Sequence, residues 1–310
     1  MNPIKWDGKK ISKPGVYLDL PIEVYHGDVC VGASVSSSGL RKIETQSPAH
    51  YWVDSPMNED REPPDDKAHF SLGQAAHTLL LGEGGFKDKF SVRPAEYAGK
   101  KWNGNRIDCK QWLASQARRG RTVILETDMQ HIEGMANALL RERNAADLLR
   151  GVIEASLIWQ DKPTGVWLKA RPDSIPSDSD MLADLKTTND ASPDKCAKSL
   201  MNFTYHMQMA LCGWGLRELM GRTPTDYILI FCEKTPPYAV NIKPLKPSDI
   251  TWALRQLRRS IDRFAECVET GTWPAYTDDS GHFVELPPFY RARLESDDAA
   301  GLLPKLTGAK

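Results

Sequence analysis

The chain has 310 residues, of which 41% are hydrophobic and 26% charged, a composition that suits a folded globular protein and excludes a mostly disordered chain. Its 40 Lys and Arg residues against 41 Asp and Glu residues leave a net charge of −1, which excludes a uniformly basic DNA binder of the histone kind. Without an apolar run of roughly 18 residues or the apolar stretch of a signal peptide, the sequence indicates a cytoplasmic protein with no membrane partner.

Residues 1–69 form the first predicted segment, which we expect to pack against the rest of the chain. A serine run at 36–38 precedes a short apolar stretch, and because serine is a favoured N-cap, a short helix is predicted there. Residues 54–67 hold three prolines and many acids with almost no apolar side chains. This composition predicts an acidic surface loop.

The main folded core is predicted over residues 70–275, with helices and short strands in alternation. Ala and Leu dominate 70–81 and glycines follow at 82, 84 and 85, which predicts a helix that ends there. The other predicted helices are 126–150, 193–220 and 248–270. The predicted strands are an antiparallel meander of 152–159, 166–171 and 181–187, and then 227–232 and 239–242. This order indicates a mixed α/β or α+β domain, followed by a tail at 276–310 without a clear period.

A basic stretch lies between the first helix and the meander, at residues 91–121. It contains eight Lys or Arg residues against two acids, interleaved with Tyr97, Trp102 and Trp112. Cations that meet phosphates and rings that stack on bases suit a groove for a nucleic-acid strand; a solvated surface is the alternative. From this stretch we select Arg106, Arg118 and Arg119 as candidate DNA contacts.

Two carboxylates and a lysine carry the chemistry that the sequence suggests. Asp173 ends one predicted strand, and Asp184 and Lys186 follow on the next strand, two positions apart and therefore on one face. Paired carboxylates bind Mg²⁺ or Mn²⁺, and a lysine beside them can orient water or neutralise charge on a scissile phosphate. Ordinary surface acids are the alternative, but Ala183 and Leu185 flank Asp184 and indicate a buried strand.

These residues resemble the signature of the PD-(D/E)XK nuclease superfamily, Pro-Asp followed by Asp-x-Lys. Its RecB-like branch is similar over four further elements, which are Gly73 to His77 (GQAAH), Glu154, Asp184 to Thr188 (DLKTT) and Tyr205 to Gln208 (YHMQ). Within the branch, the RecE-type exonuclease (exonuclease VIII) nuclease domain of phages and prophages shows the closest resemblance. It is carried by GVYLDLPIEVYH from Gly15, the serine cap and the SPAHY segment at 47–51, and it covers roughly residues 14–275.

The resemblance implies a fold, an activity and partners. The fold would be a restriction-endonuclease-like core, a central mixed sheet flanked by helices. The activity would be that of an Mg²⁺- or Mn²⁺-dependent exodeoxyribonuclease, which degrades one strand of linear double-stranded DNA from the 5′ end and leaves 3′ single-stranded tails for recombination. The partners would be a single-strand annealing protein of the RecT or Bet type and further copies of this chain in a ring-shaped homo-oligomer.

The resemblance also implies a set of site residues. The metal ligands would be His77, Asp173, Asp184 and the backbone carbonyl of Leu185. The catalytic group would be Asp173, Asp184, Lys186, Glu154 and Gln208. Two of these have a structural alternative, since Glu154 could pair with Lys169 or Arg171, and Gln208 could bridge helix and sheet.

Further candidate DNA contacts lie outside the basic stretch. They are Arg171, Tyr205, Arg255, Arg258 and Arg259. The last three share one face of the predicted helix 248–270, which would be either a row of phosphate contacts or a solvated surface. Tyr205 would stack on a base or pack inside the protein.

One residue departs from the family pattern, and the positions of the cysteines bear on whether an iron–sulfur cluster is expected. Cys212 stands where an aromatic residue usually follows the glutamine, so we expect altered packing behind the site. The six cysteines are far apart, and only Cys267 lies near the end of the core, so free buried thiols and no iron–sulfur cluster are expected. Two other functions remain open, a structure-specific or single-strand endonuclease on the same core and a non-catalytic DNA-end-binding protein.

Overall fold

The computed structural model of the chain describes residues 3–62, 72–81, 86–276 and 284–305. The chain divides into two compact units, residues 1–275 and 276–310, and each is described by itself. Residues 63–67 of the predicted acidic loop and the glycines predicted to end the first helix lie outside the described residues. No helix within the described ranges is long and apolar enough to cross a membrane.

The strands of the first unit are short, and most belong to two mixed sheets. In chain order they are β1 (Ile4–Lys5), β2 (Gly15–Leu18), β3 (Ser34–Ser36), β4 (Phe90–Val92), β5 (Glu96–Tyr97), β6 (Lys100–Lys101), β7 (Thr122–Ile124), β8 (Gly151–Ile153), β9 (Ser156–Gln160), β10 (Trp167–Ala170), β11 (Ser174–Pro176), β12 (Met181–Thr188), β13 (Asp226–Glu233) and β14 (Val240–Pro244).

The helices range from single turns to one helix of 24 residues. In chain order they are α1 (Ile22–His26), α2 (Ser37–Thr45), α3 (Pro48–Val53), α4 (Leu72–Leu80), α5 (Phe86–Lys89), α6 (Ile107–Arg118), α7 (Glu126–Arg141), α8 (Arg143–Leu148), α9 (Pro193–Asn202), α10 (Tyr205–Met220), α11 (Pro247–Thr270) and, in the second unit, α12 (Pro288–Ala299). In the tail for which the sequence showed no period, the described residues 284–305 therefore contain one helix, α12, and no residue of this helix is buried.

The larger sheet has the strand order β1-β2-β9-β10-β3. Strands β9 and β10 run antiparallel, with Trp167 opposite Gln160, and β3 runs parallel to β10. The predicted N-terminal segment thus contributes β1, β2 and β3 to the same sheet as the predicted core. The smaller sheet has the order β12-β13-β14, and β8 pairs with β11 separately. The mixed α/β fold with a mixed sheet and flanking helices agrees with the prediction.

The predicted antiparallel meander is wrong at its third strand. β12 pairs in parallel with β13, with Asp184 opposite Leu229, instead of continuing from β10. Helices α9 and α10 connect these two strands, as a parallel pair requires a crossover connection. The buried run of β12, from Leu182 to Leu185, is typical of a parallel strand covered on both faces.

Three further predicted elements are divided by local breaks in the backbone. The strand predicted at 152–159 is interrupted by Glu154, which has a left-handed φ of 53°. The helix predicted at 193–220 is two helices, separated at Phe203 and Thr204, and Thr204 has a φ of 49°. The helix predicted at 126–150 breaks at Glu142. Propensity could not show these breaks, because none of them contains Gly or Pro.

Strand β12 lies between two hydrophobic clusters, and this position determines where its polar side chains point. Leu182 belongs to the cluster formed with α2, α10 and α11, whereas Ala183 and Leu185 belong to the cluster formed with α4 and α7. Because side chains alternate along a strand, Asp184 and Lys186 face the first cluster and α10. All six cysteines are buried with free thiols, as predicted.

Candidate active site

Three side chains that could hold a metal ion converge from three separate elements. His77 lies on α4, Glu154 at the break between β8 and β9, and Asp173 just before β11. One potential ligand atom from each lies within 4.8 Å of the other two, and His77 Nδ1 is 3.7 Å from Asp173 Oδ2. One imidazole nitrogen and two carboxylates form a donor set that suits Mg²⁺ or Mn²⁺.

The left-handed backbone at Glu154 has a structural cause and a consequence for the site. Its N–H donates to the carbonyl of Asp173 at 3.1 Å, so the two residues are held together through the backbone. A non-glycine residue with positive φ is strained and is often found at functional sites. The Glu154 carboxylate also lies 3.9 Å from Arg171 Nε, so the predicted ion pair and the predicted place in the site are both present. Lys169 instead donates to the carbonyls of Tyr25 and Gly27.

Asp173 is a buried acid whose charge is only partly compensated. It is 7% exposed, and its Oδ2 accepts the backbone N–H of Leu185 at 2.6 Å. Burial and the negative charge of Asp184 raise the pKa of Asp173 to about 6, although His77 and Lys186 act in the opposite direction. A divalent cation would supply the missing positive charge, so the residues present fit a metal ion. The carbonyl of Leu185 stays a predicted ligand.

Asp184, Lys186 and Gln208 form a closed polar triangle beside these ligands. Gln208 Nε2 donates to Asp184 Oδ1 at 2.9 Å, and Lys186 Nζ donates to Gln208 Oε1 at 3.1 Å. Lys186 Nζ also lies 2.5 Å from Asp184 Oδ2, an atom that is buried and accepts no well-oriented hydrogen bond. Gln208 therefore bridges α10 to β12 and contacts the site at once, so the two interpretations of this residue coincide.

The charges around Lys186 determine its protonation state. Burial disfavours its ammonium, but the charges of Asp184 and Asp173 outweigh this effect and raise the pKa of Lys186. The side chain is thus protonated at neutral pH and offers positive charge rather than a basic nitrogen. Tyr205 lies next to it, with its ring centroid 4.5 Å from Lys186 Nζ, and its ring is stacked on Phe203.

A polar pocket shares residues with this group, and it was not predicted from the sequence. Its lining includes Glu154 and Gln208 together with Ser37, Arg41 and Arg171. Arg41 follows Ser37 by four residues on α2, so both lie on one helical face, and this spacing in SSSGLR was the signal available. The Arg41 guanidinium donates to the carbonyl of Phe203 at 2.6 Å.

The N-terminus of α2 gives this pocket the character of an anion site. The N-cap Ser36 forms no capping hydrogen bond, and its hydroxyl lies 2.9 Å from that of Ser38 instead. Ser37 is 8% exposed, and its hydroxyl has no hydrogen-bond partner among the residues that the structure describes. Uncapped backbone N–H groups at a helix N-terminus attract negative charge. Together with Arg41 and Arg171, they favour a phosphate or carboxylate.

The basic stretch 91–121 is folded on itself. Tyr97, Trp102 and Trp112 pack edge to face, with ring centroids 5.4 to 6.4 Å apart. Arg106 donates to the carbonyls of Lys101 and Tyr97 and pairs with Asp108. Arg118 and Arg119 are exposed at the end of α6. These three arginines stay candidate DNA contacts, and the structure does not bring them into the polar group around Asp184.

The α11 arginines lie on one shallow surface but differ in their partners. Arg258 forms two hydrogen bonds with the buried Asp161, at 2.8 and 3.1 Å. Arg259 pairs with Glu44, whose side chain is 4% exposed. Arg255 lies over the ring of Trp252, with its guanidinium 4.8 Å from the ring centroid. Of the three, Arg255 is the one for which the described residues supply no ion pair with an acid.

Comparisons with known proteins concern the family and the fold of the chain. Residues 36–283 match the family model described as a PDDEXK-like domain of unknown function (DUF3799). No curated protein matches the sequence. Among solved structures, the chain is similar to a “Putative exonuclease” from Eubacterium rectale, with 12% identity, a TM-score of 0.54 and coverage of 87% of this chain and 96% of that one. At this identity the likeness shows a shared fold.

A second solved structure is more distant. An alkaline exonuclease from Laribacter hongkongensis is 14% identical and covers 63% of this chain and 89% of its own. Its TM-score of 0.26 is too low to carry an argument.

Proposed function

The chain belongs to the PDDEXK-like family whose model it matches over residues 36–283, and on this basis we propose that it is a metal-dependent exodeoxyribonuclease. The predicted PD-(D/E)XK fold is confirmed by this match and by the solved structure that shares the fold. The closer resemblance to RecE-type exonucleases remains a prediction. The proposed substrate is linear double-stranded DNA, of which one strand is degraded from the 5′ end to leave a 3′ single-stranded tail.

One observation carries the proposal. The ligand atoms of His77, Glu154 and Asp173 lie within 4.8 Å of one another, and the protonated Lys186 is held beside them by Asp184. Structural ion pairs lower the pKa of a buried acid, whereas burial and the negative charge of Asp184 raise the pKa of Asp173 to about 6. Such a perturbed acid in a polar group is typical of a catalytic site.

The roles of the residues follow from their contacts. A Mg²⁺ or Mn²⁺ ion held by His77, Glu154 and Asp173 would lower the pKa of a water molecule and stabilise charge on the scissile phosphate. Lys186 offers its ammonium to the charge that builds on the phosphate. Asp184 and Gln208 fix the position of that ammonium through an ion pair and a hydrogen bond. Asp184 also stays a predicted metal ligand.

The anion pocket supports action at a DNA end. It is lined by Glu154 and Gln208 and therefore adjoins the catalytic group. A terminal phosphate carries more negative charge than an internal phosphodiester, and the Ser37 hydroxyl, the α2 N-terminus and two arginines suit that charge. We therefore propose that the pocket takes the 5′-phosphate and that the scissile bond lies next to it.

An end-labelled digestion tests the function. The substrates are a linear duplex with a 5′-phosphate, the same duplex with a 5′-hydroxyl, and a covalently closed circle, each with Mg²⁺ or Mn²⁺ and with EDTA. We expect fast degradation of the phosphorylated linear duplex, slower degradation of the hydroxylated one, and no cleavage of the circle or in EDTA. Cleavage of the circle would instead identify an endonuclease, and binding of DNA ends without cleavage would identify a non-catalytic protein.

A matched pair of variants tests the pocket. Ser37→Asp places a negative charge at the helix N-terminus, where the helix dipole tolerates it and where it opposes a phosphate. The preference for a 5′-phosphate should disappear in this variant. Ser248→Asp is the control, because Ser248 is an exposed serine in the first turn of α11 and does not line this pocket. An unchanged preference in Ser37→Asp would exclude the pocket as the phosphate site.

The remaining expectations are part of the same proposal. They are a cytoplasmic location, a ring-shaped homo-oligomer around DNA and an annealing protein of the RecT or Bet type that binds the 3′ tail. The ring and the annealing partner follow from the resemblance to RecE-type exonucleases, and the location is the expectation from the sequence itself. Chromatography with light scattering would test the ring, and co-purification with an annealing protein would test the partner.

A further inference from the structure

We infer that the exposed ring of Phe203 is a stacking platform for one nucleobase of the strand being degraded. The inference rests on the proposed nuclease function and adds a contact that neither the family match nor the sequence assigns. Phe203 lies at the corner between α9 and α10, next to the helix that carries Gln208. Its side chain is apolar and aromatic, so the ligand it fits is the flat face of a base.

The corner holds Phe203 in one place. Thr204, the next residue, has a left-handed φ of 49°, a conformation that a β-branched residue adopts only where the surroundings impose it. The Phe203 carbonyl accepts the Arg41 guanidinium at 2.6 Å, and its N–H donates to Ser199 at 3.0 Å. Because these bonds fix the backbone of Phe203, its side chain has less freedom to lose when a base stacks on the ring.

The ring is exposed although it is aromatic and close to the site. Phe203 is 56% exposed, and it stacks on Tyr205 with ring centroids 5.4 Å apart and an interplanar angle of 25°. Tyr205 in turn lies 4.5 Å from Lys186 Nζ. The exposed ring is therefore no more than about 10 Å from the catalytic ammonium, the sum of these two distances. A base on Phe203 would belong to a nucleotide next to the scissile phosphate.

The surroundings favour DNA over a protein partner. Arg41 contacts the carbonyl of Phe203 and Lys186 lies over the ring of Tyr205, and aromatic rings beside cations suit bases beside phosphates. The aromatic residues of the basic stretch differ, because Tyr97, Trp102 and Trp112 pack edge to face against one another. Since stacking reads no hydrogen-bonding edge, the contact should show no base preference.

A double-mutant cycle between the protein and the DNA tests the contact. We would compare the parent with Phe203→Ala, Phe203→Trp and Met201→Ala, a control that is 68% exposed on the same corner. The DNA would carry a single abasic residue at successive positions from the 5′ end, with affinity measured in Ca²⁺ and single-turnover cleavage in Mg²⁺. Thermal melting of each variant would verify its fold.

A stacked base predicts a specific pattern. Phe203→Ala should weaken binding of intact DNA by about 5- to 150-fold, Phe203→Trp should restore it, and Met201→Ala should match the parent. At one position, an abasic residue should cost the parent affinity and cost Phe203→Ala nothing further.

Three results would overturn the inference. They are additive effects at every position, a loss equally large for Met201→Ala, and a Phe203→Ala variant that changes only self-association. In each case a parent that degrades DNA leaves the nuclease proposal standing. A parent that neither binds nor degrades DNA would overturn both.

Discussion

Two regions of the molecule each bury a carboxylate, and the pKa of the carboxylate is shifted in opposite directions in the two regions. Beside α11, Asp161 is 2% exposed, and its hydrogen bonds with Arg258 and Thr164 lower its pKa against the effect of burial. In the candidate site, Asp173 is 7% exposed, and burial together with Asp184 raises its pKa to about 6. Both are buried acids, but only the first has its charge balanced within the protein.

The difference separates a structural ion pair from a functional site. A buried charge that the fold fully pairs contributes to a fixed structure, whereas one left partly unpaired lowers stability and requires another reason to be there. We propose that the reason in the candidate site is a cation bound beside Asp173 and a phosphate bound beside Lys186. By the same rule, the ion pairs of Arg258 with Asp161 and of Arg259 with Glu44 favour a structural role, and DNA contact by these two arginines stays a prediction.

The largest expected effect is on catalysis. Lys186→Ala should reduce single-turnover cleavage by about 10²- to 10³-fold, the scale of removing one preorganised charge-stabilising group. Asp184→Asn should reduce it at least as much. Lys162→Ala is the control, since that lysine is 87% exposed in the turn between β9 and β10. Cleavage by Lys186→Ala at the rate of the parent would remove Lys186 from the site.

The second largest effect is on the stability of the protein, and it concerns Asp161, the acid that is fully paired. Arg258→Met leaves Asp161 buried with Thr164 as its main partner, so we expect a loss of about 3 kcal/mol in the free energy of unfolding. Arg255→Met, three residues earlier on α11, removes no ion pair with a buried acid and should change stability by less than about 0.5 kcal/mol. Urea denaturation measures both, and equal stability of the two variants would contradict the structural role of Arg258.

Substitution of the unbalanced acid, Asp173, should change the free energy of unfolding in the opposite direction, by an amount that depends on pH. The unfolded pKa of an aspartate is about 3.9, and that of Asp173 in the folded protein is about 6. The folded protein therefore keeps a proton that the unfolded chain releases between about pH 4 and 6, so the free energy of unfolding falls as pH rises through this window. Asp173→Asn lacks this fall.

At pH 7.5 without metal, Asp173→Asn should be more stable than the parent by up to about 3 kcal/mol. Asp161→Asn is the matched control and should be less stable than the parent, because the lowered pKa of Asp161 stabilises the fold above about pH 4. Denaturation series at pH 4 to 8 would show both trends. A destabilised Asp173→Asn at pH 7.5 would mean that the fold already balances this charge.

The smallest effect concerns DNA contacts on α11. Arg255→Ala should lower the slope of log affinity against log salt by about one phosphate contact. Arg259→Ala should change the slope less, because Arg259 is paired with Glu44 in the absence of DNA. Fluorescence anisotropy at several salt concentrations measures both slopes. Equal slopes for the two variants and the parent would mean that neither arginine contacts a DNA phosphate.

The sequence predicted the parts of the site that are local and left out those that are not. Asp184 and Lys186 share a strand face by simple alternation, and His77 lies on a helix with an evident period. The left-handed Glu154 could not be predicted, because its conformation depends on a hydrogen bond with Asp173, which lies before β11. The pairing of β12 with β13 was missed because a buried parallel strand lacks the alternation that marks a hairpin.

The α11 arginines show a second limit of local patterns. Arg258 pairs with Asp161, which lies 97 residues earlier, and Arg259 pairs with Glu44, 215 residues earlier. Spacing along a helix shows which residues share a face, but not which acids the fold brings to that face. The same limit hid the anion pocket, whose lining comes from α1, α2, α10 and the loops around Glu154 and Arg171.

Calorimetric titration of Mn²⁺ tests most directly whether the unbalanced acid belongs to a metal site. The protein samples are the parent, Asp173→Asn, Lys186→Ala and Asp161→Asn, each shown to be folded. The account predicts that Mn²⁺ binds the parent and Asp161→Asn alike and binds Asp173→Asn weakly or not at all. It binds Lys186→Ala at least as tightly as the parent, because a nearby positive charge is removed. Equal Mn²⁺ affinity in the parent and Asp173→Asn would contradict the account.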